Sequence, residues 1–224
     1  GEGVIRRQTK CILLDPYANA FDRDSTKMSP WKSENTEMKP GVHERKWELD
    51  SLCYCIRLAY QYWKITGNNS FMNDEWHKAM ALVTDTMKDQ QRKTGKGKYH
   101  FQRVTLTKSD TLAGDGYGNP VKANGMICSA FRNSDDATTY LYNIPENLFA
   151  VTALRQLSEM LDGAGQQKEL AITCQNLANE VEKATLANGI VDQKEFGKIY
   201  AYECDGFRNY ELMQDAGIPG FMTV

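Results

Sequence analysis

The chain has 224 residues, 41% of them hydrophobic, enough to bury a sizeable core in one large domain. Its 27 Lys and Arg against 29 Asp and Glu give a formal charge of -2, which excludes the basic footprint of a nucleic-acid binder and suits a neutral or weakly charged small-molecule partner. No apolar run reaches the ~18 residues of a membrane span, and Gly1 to Arg7 carry no signal-peptide core.

The six cysteines at 11, 53, 55, 128, 174 and 204 form no Cys-x-x-Cys pair and do not group with His43, His77 or His100, so neither a zinc site nor any cofactor is expected. Cys53 and Cys55 point about 200° apart on a helix and are not expected to bond to each other. Buried free thiols are the expectation. They favour a reducing, cytoplasmic setting, with a periplasmic or secreted one if a signal peptide has been removed.

In chain order, Lys10 to Leu14 reads as the end of a helix that begins upstream, stopped by Pro16. The turn Asp15-Pro16-Tyr17-Ala18-Asn19-Ala20-Phe21 offers an aromatic and an amide, suited to stacking on a sugar and bonding its hydroxyls. An ordinary Asp-Pro turn anchored by Phe21 explains it equally well. From Asp22 to Val42 the chain is polar and carries Pro30 and Pro40, which predicts a long excursion fixed by Trp31.

Between Lys46 and Ile65, Leu49, Leu52, Cys53, Ile56, Tyr60 and Trp63 recur at helical spacing. Gly67 ends that helix, and a second runs from about Asp74 to Arg92 with Trp76, Ala79, Met80, Val83 and Met87 inward, predicting an antiparallel pair. The run His43 to Asp50 packs charged groups around Trp47 and reads as the solvated first turn of the first of these helices. Tyr99 to Thr107 suits a short extended piece. Gly114 to Pro120 lacks the spacing of a nucleotide loop and reads as a turn for close backbone approach.

Ser129 to Ala137 sets two adjacent carboxylates behind an arginine: Arg132, Asn133, Ser134, Asp135 and Asp136. These residues favour local hydrogen bonds over a continuing helix, so a loop at a reactive site is one reading. The other is an N-cap, with Ser134 or Asp135 opening a helix through Thr138 and Tyr140. Helices are then predicted from Pro145 to about Leu161 and from Gln166 to Leu186, with short strands at Ile190 to Val191 and Ile199 to Tyr202. Acidic loops follow at Glu203 to Gly206 and Gln214 to Pro219. Helix, short loop, helix, then a longer connection is the pattern of stacked helical hairpins.

Several of these stretches together carry a resemblance: Arg7 to Cys11 with Asp15 to Phe21, Glu44 to Tyr54, Phe131-Arg132 with Ser134 to Ala137, Ile144-Pro145 with Asn147 and Phe149 to Val151, and Tyr200 to Glu203 with Asp205-Gly206. In that order they resemble glycoside hydrolase family 125, the exo-acting α-1,6-mannosidases. The resemblance implies a mainly all-α (α/α)6 toroid of helical hairpins with a few short strands. Residues 1–224 would form part of a single catalytic domain, lacking helices at both ends.

It further implies metal-independent, inverting hydrolysis of a terminal α-mannose during N-glycan degradation, with a mannose-containing glycan as partner. Inversion needs an acid and a base about 6.5 to 9.5 Å apart. The family's acid falls on Asp135, which has to hold a proton near neutral pH through burial or through Asp136 beside it. The base glutamate is expected outside these residues, with Glu203 as one local substitute. Arg132 and Asp136, then Glu48, Asp50, Arg45 and Lys46, and Tyr17 with Asn19, are the expected sugar-binding shell. The alternative is a non-catalytic mannoside-binding or helical scaffold domain. A pure scaffold would leave the acidic loops at 134–136, 203–205 and 214–215 apart in space.

Overall fold

A computed structural model describes residues 1–24, 26–163 and 167–212. The acidic run Gln214 to Pro219 therefore lies outside the described residues. Five α-helices carry the described chain: α1 (Glu2–Leu14), α2 (Leu49–Thr66), α3 (Asp74–Gln90), α4 (Ile144–Gly163) and α5 (Lys168–Asn188). Between and after them run seven short strands, β1 (Ala20–Phe21), β2 (Val42–Glu44), β3 (Tyr142–Asn143), β4 (Ile190–Gln193), β5 (Gly197–Tyr200), β6 (Glu203–Cys204) and β7 (Tyr210–Glu211). They pair as β1-β2, β3-β6-β7 and β4-β5, every pairing antiparallel.

The helix ends follow local chemistry. Gly67 closes α2 in the left-handed region (φ 68°), where a side chain is disfavoured, and its amide bonds to Trp63 O. Asn73 caps α3 by accepting from the Trp76 amide, and Asn143 accepts from the Glu146 amide at the start of α4, with Pro145 in its first turn. α4 buries Phe149, Ala150, Ala153, Leu154, Leu157, Met160 and Leu161. Each large apolar side chain there contributes roughly 1.5–3 kcal/mol of transfer free energy.

The closest helix approaches are α4 with α5, α2 with α4, and α1 with α3. The hairpin expected of α4 and α5 is present. The one expected of α2 and α3 is not: α2 packs chiefly on α4 and α3 on α1, while Phe71, in the connection, packs edge-on against Tyr62 of α2 and Trp76 of α3. One core cluster runs through α1 to α5, and a smaller one, with Met126, Cys128, Tyr142 and Cys204, sits under the β3-β6-β7 sheet. All six cysteines are free thiols, four of them buried.

Four expectations need correction. Helix α2 starts at Leu49, because the Lys46 amide is taken by Asn19, the Trp47 amide by Tyr99 and the Trp47 carbonyl by Ala130 and Phe131, which holds 45–47 extended. Trp31 does not anchor the 22–42 excursion by burial: it is 42% exposed, and its hold is the Arg103 guanidinium packed 4.4 Å over its ring. Buried Ser29, bonded to the His43 carbonyl, and buried Glu34 anchor it instead. Residues 99–107 form no strand beyond a single bridge of Gln102 with Asn35. No helix follows Ser134 or Asp135, so the N-cap reading fails.

Candidate active site

The Ser129–Ala137 loop is pinned at its base by backbone bonds. Ala130 and Phe131 donate to Trp47 O, Ser129 Oγ accepts from the Leu49 amide at the start of α2, and Thr138 donates to Ala130 O. Its tip is a tight turn, with Arg132 N to Asp136 O at 2.8 Å and Asp135 N to Arg132 O at 2.8 Å. The turn holds Asp135 at φ 72°. Aspartate reaches this left-handed region more readily than most residues because its short polar chain bonds locally.

Asp135 and Arg132 leave this loop in opposite directions. Asp135 keeps a side chain 54% exposed, and its Oδ2 accepts from Lys46 Nζ at 2.8 Å. The burial expected of a proton donor is thus absent. Arg132 turns inward to Glu203, with Nε to Oε1 at 2.6 Å, and reaches Glu211 at 3.3 Å. Glu203 is wholly buried and also accepts from the amides of Thr139 and Tyr140, so its oxygens are occupied and it is not a substitute base. The 203–205 loop thus meets the residues flanking 134–136, through Arg132 and these two amides. Asp136, half-buried, accepts from Ser134 Oγ at 3.3 Å.

The remaining expected residues divide. Tyr17 is buried, not exposed: its ring stacks on Tyr99 and meets Trp47 edge-on, and its hydroxyl donates to Asp89 at 2.8 Å. Arg45 lies over both tyrosines, donates to Asp15 at 2.8 Å and is 2% exposed. These two hold the scaffold. Asn19 is nearer the loop, its amide donating to Glu44 and Glu48 and its oxygen accepting from Lys46 N.

Glu48 precedes α2, half-buried; burial first, then the Asp50 charge, and to a smaller extent Asp135, push its carboxyl up to about 8. Burial likewise raises Asp50. Glu146, in the first turn of α4, is fully buried, with the Ser129 hydroxyl nearby already spent on Phe131 O, and burial followed by the Asp50 charge raises it far above the ordinary range. A carboxyl in that position keeps its proton.

The sequence reading missed Glu146 and a group of four residues: Glu34, Glu44, Arg103 and Asp110. Arg103 donates to Glu34 at 2.6 Å, to Asp110 at 2.8 and 2.9 Å and to Glu44 at 2.7 Å, and Asp110 in turn accepts from Lys46 Nζ at 2.8 Å. Nothing local signals this group, since its members stand far apart in the chain, at 34, 44, 103 and 110. Glu146 looks like any acid in a first helical turn. Beside the loop, a cavity of about 360 Å³ is lined by Ser109, Thr111, Asn119 and Thr139 together with Leu112 and Ala137, a mixed polar and apolar wall. Among the described residues no His, Cys, Asp and Glu cluster is arranged to hold a metal ion.

Helical hairpins that carry a carboxylate-rich loop give the chain the architecture of an α/α barrel. The family described as metal-independent alpha-mannosidase (GH125) matches residues 1–224, and the chain belongs to it. It is similar to the meiotically up-regulated gene 157 protein of Schizosaccharomyces pombe, 35% identical over 238 residues that cover 99% of this chain and 47% of the yeast protein. Among solved structures it matches a Streptococcus pneumoniae metal-independent α-mannosidase, determined as a non-productive complex with α-1,6-mannobiose. That match has a TM-score of 0.93 at 33% identity and covers 97% of this chain and 51% of the other. The chain thus spans about half the length of both relatives, and its mainly helical fold is that of an α/α barrel family.

Proposed function

We propose that the protein releases terminal α-1,6-linked mannose from mannose-containing glycans by inverting, metal-independent hydrolysis. The observation that carries this reading is the family match along the whole chain, supported by the structural likeness to an enzyme solved with α-1,6-mannobiose. Asp135 is the proton donor in this reading: it stands on a loop tip, reachable by a ligand, and among the described residues only Oδ2 of its carboxylate is hydrogen-bonded, leaving Oδ1 to meet a glycosidic oxygen. Inversion also requires a second carboxylate on the opposite face of the sugar. Arg132, occupied by Glu203, holds the loop in shape, while Asp136 and the cavity beside the loop face the sugar.

Glu48 is the alternative donor in the same reaction, favoured by its half-burial and a carboxyl that holds its proton to about 8. Mannose release from α-1,6-mannobiose by the full-length protein, with chelator present, tests the reading. The first assignment expects Asp135→Asn to lower kcat by about 10² to 10⁴-fold and Glu48→Gln to lower it far less. The reverse order assigns the proton to Glu48. Proton NMR of the first-formed anomer tests inversion, and absence of turnover in a folded full-length protein would sink the mannosidase reading.

A further inference from the structure

We infer that Lys46 is a positioning residue that sets the orientation and charge of Asp135 through a closed ring of ion pairs and hydrogen bonds, and does not itself touch the sugar. The inference rests on the reading of Asp135 as the proton donor and adds the group that governs it.

An ammonium has three donors, and all three are engaged: Asp110 Oδ1 at 2.8 Å, Asp135 Oδ2 at 2.8 Å and the Asp135 carbonyl at 2.9 Å. No donor remains for a mannose hydroxyl. The side chain is fully buried, with Nζ 5.0 Å from the centre of the Phe131 ring, so it cannot swing out to a ligand without breaking this packing. By gripping both the carbonyl and the carboxylate of one residue, Lys46 also holds the left-handed backbone that aims Asp135.

Lys46 is fixed from both ends. Its amide donates to Asn19 Oδ1, Asn19 donates to Glu44, Glu44 accepts from Arg103, Arg103 holds Asp110 with two bonds, and Asp110 returns to Lys46 Nζ. A flexible lysine becomes a fixed point charge in this ring. The charged groups around Asp135 are Lys46 in contact, Asp110 and Arg103 behind it, Glu44 on β2, Glu48 at the start of α2 and Asp136 in the same loop. Lys46 is the cation in direct contact, and Asp110 shares it. The two neighbours therefore act on Asp135 with opposite sign: losing Lys46 makes its proton harder to remove, and losing Asp110 leaves more of the lysine charge to Asp135 and makes it easier.

The test uses the full-length protein and its Lys46→Met, Lys46→Arg and Asp110→Asn variants. Two readouts are taken: the pH dependence of kcat and KM on α-1,6-mannobiose, and the carbon-13 titration of the Asp135 carboxyl. In Lys46→Met both the alkaline limb of kcat and the carboxyl midpoint are expected to move up, with KM changed less than about threefold. Asp110→Asn is expected to move both down, and Lys46→Arg to restore most of the wild-type position. If Lys46→Met does not fold, Asp110→Asn alone decides by the sign of its shift. A rise in KM of tenfold or more with both midpoints unmoved would place Lys46 on the sugar and overturn the inference. A carboxyl midpoint that moves as expected while the kcat limb stays would keep the ring and overturn the assignment of Asp135 as donor.

Discussion

Two ion pairs of the Ser129–Ala137 loop, Arg132–Glu203 and Lys46–Asp135, are built as opposites. In Arg132–Glu203 the carboxylate is wholly buried and accepts from a guanidinium and two amides. In Lys46–Asp135 it is the lysine that is wholly buried, and the carboxylate is 54% exposed with one oxygen left over. A carboxylate with every lone pair taken can only hold structure. One that is gripped by a single oxygen can still exchange a proton with a ligand. Depth of burial of the acid, and not the presence of an ion pair, separates the structural half of the loop from the reactive half.

Arg132→Met is the sharpest way to break this contrast. It leaves the Glu203 charge buried with only two amides, and removing one partner of a buried pair costs about 3–5 kcal/mol. Urea unfolding is expected to show that loss. Replacing Glu203 as well, in Arg132→Met with Glu203→Leu, is expected to recover part of it, since the isolated charge is gone. If the double variant is as unstable as the sum of both single changes, the pair is not the structural anchor described here.

A second contrast lies within the carboxylates. Glu44 and Asp110 sit on Arg103, whereas Glu146 and Glu48 are raised chiefly by burial, so these two are neutralised by protons and not by cations. The sign follows. A group that holds its proton more tightly folded than unfolded stabilises fully below the unfolded value near 4.5, and that contribution is lost as pH rises through the folded value, about 8 for Glu48. Stability measured by urea at pH 5, 6.5 and 8.5 is expected to fall along the series. Glu48→Gln and Glu146→Gln, which keep the shape without the charge, are each expected to reduce that fall by about 1–3 kcal/mol. A wild-type stability that rises with pH over this range contradicts both assignments.

What the sequence made legible was local. The spacing of Phe149, Ala153, Leu157 and Met160 predicts α4, and Gly67 marks the end of α2. The cluster of Asn133, Ser134, Asp135 and Asp136 announces a turn, and the ordered motifs announce the family. Partners distant in sequence were not legible. Lys46 meets Asp135 across 89 positions and Asp110 across 64, and no periodicity links residues so far apart. The same distance hid the burial of Tyr17 and Arg45, because an aromatic after an Asp-Pro turn faces solvent or core according to what packs beneath it, here Trp47 and Tyr99. The start of α2 was misjudged for a related reason: charged residues suit a first helical turn, and only the tertiary bonds to the amides of Lys46 and Trp47 keep them extended.

The smallest expected effect is also the most telling about the loop tip. Asp135→Asn keeps a residue that tolerates a left-handed backbone and removes only the charge. The buried Lys46 ammonium keeps Asp110 Oδ1 and the residue-135 carbonyl as acceptors, and the lost carboxylate charge is 54% exposed, so unfolding stability is expected to fall by about 1 kcal/mol, well short of the loss from Arg132→Met, even as turnover collapses. Asp135→Gly, free of the conformational penalty of a side chain at φ 72°, regains roughly 1 kcal/mol and loses the carboxylate grip on Lys46, so it too should lie close to wild type. The two variants together separate the backbone from the charge: near-equal stabilities mean that Lys46 positions Asp135 without depending on it for the fold. A loss from Asp135→Asn as large as that from Arg132→Met would make the two pairs equivalent, and exposure would no longer tell a reactive carboxylate from a structural one.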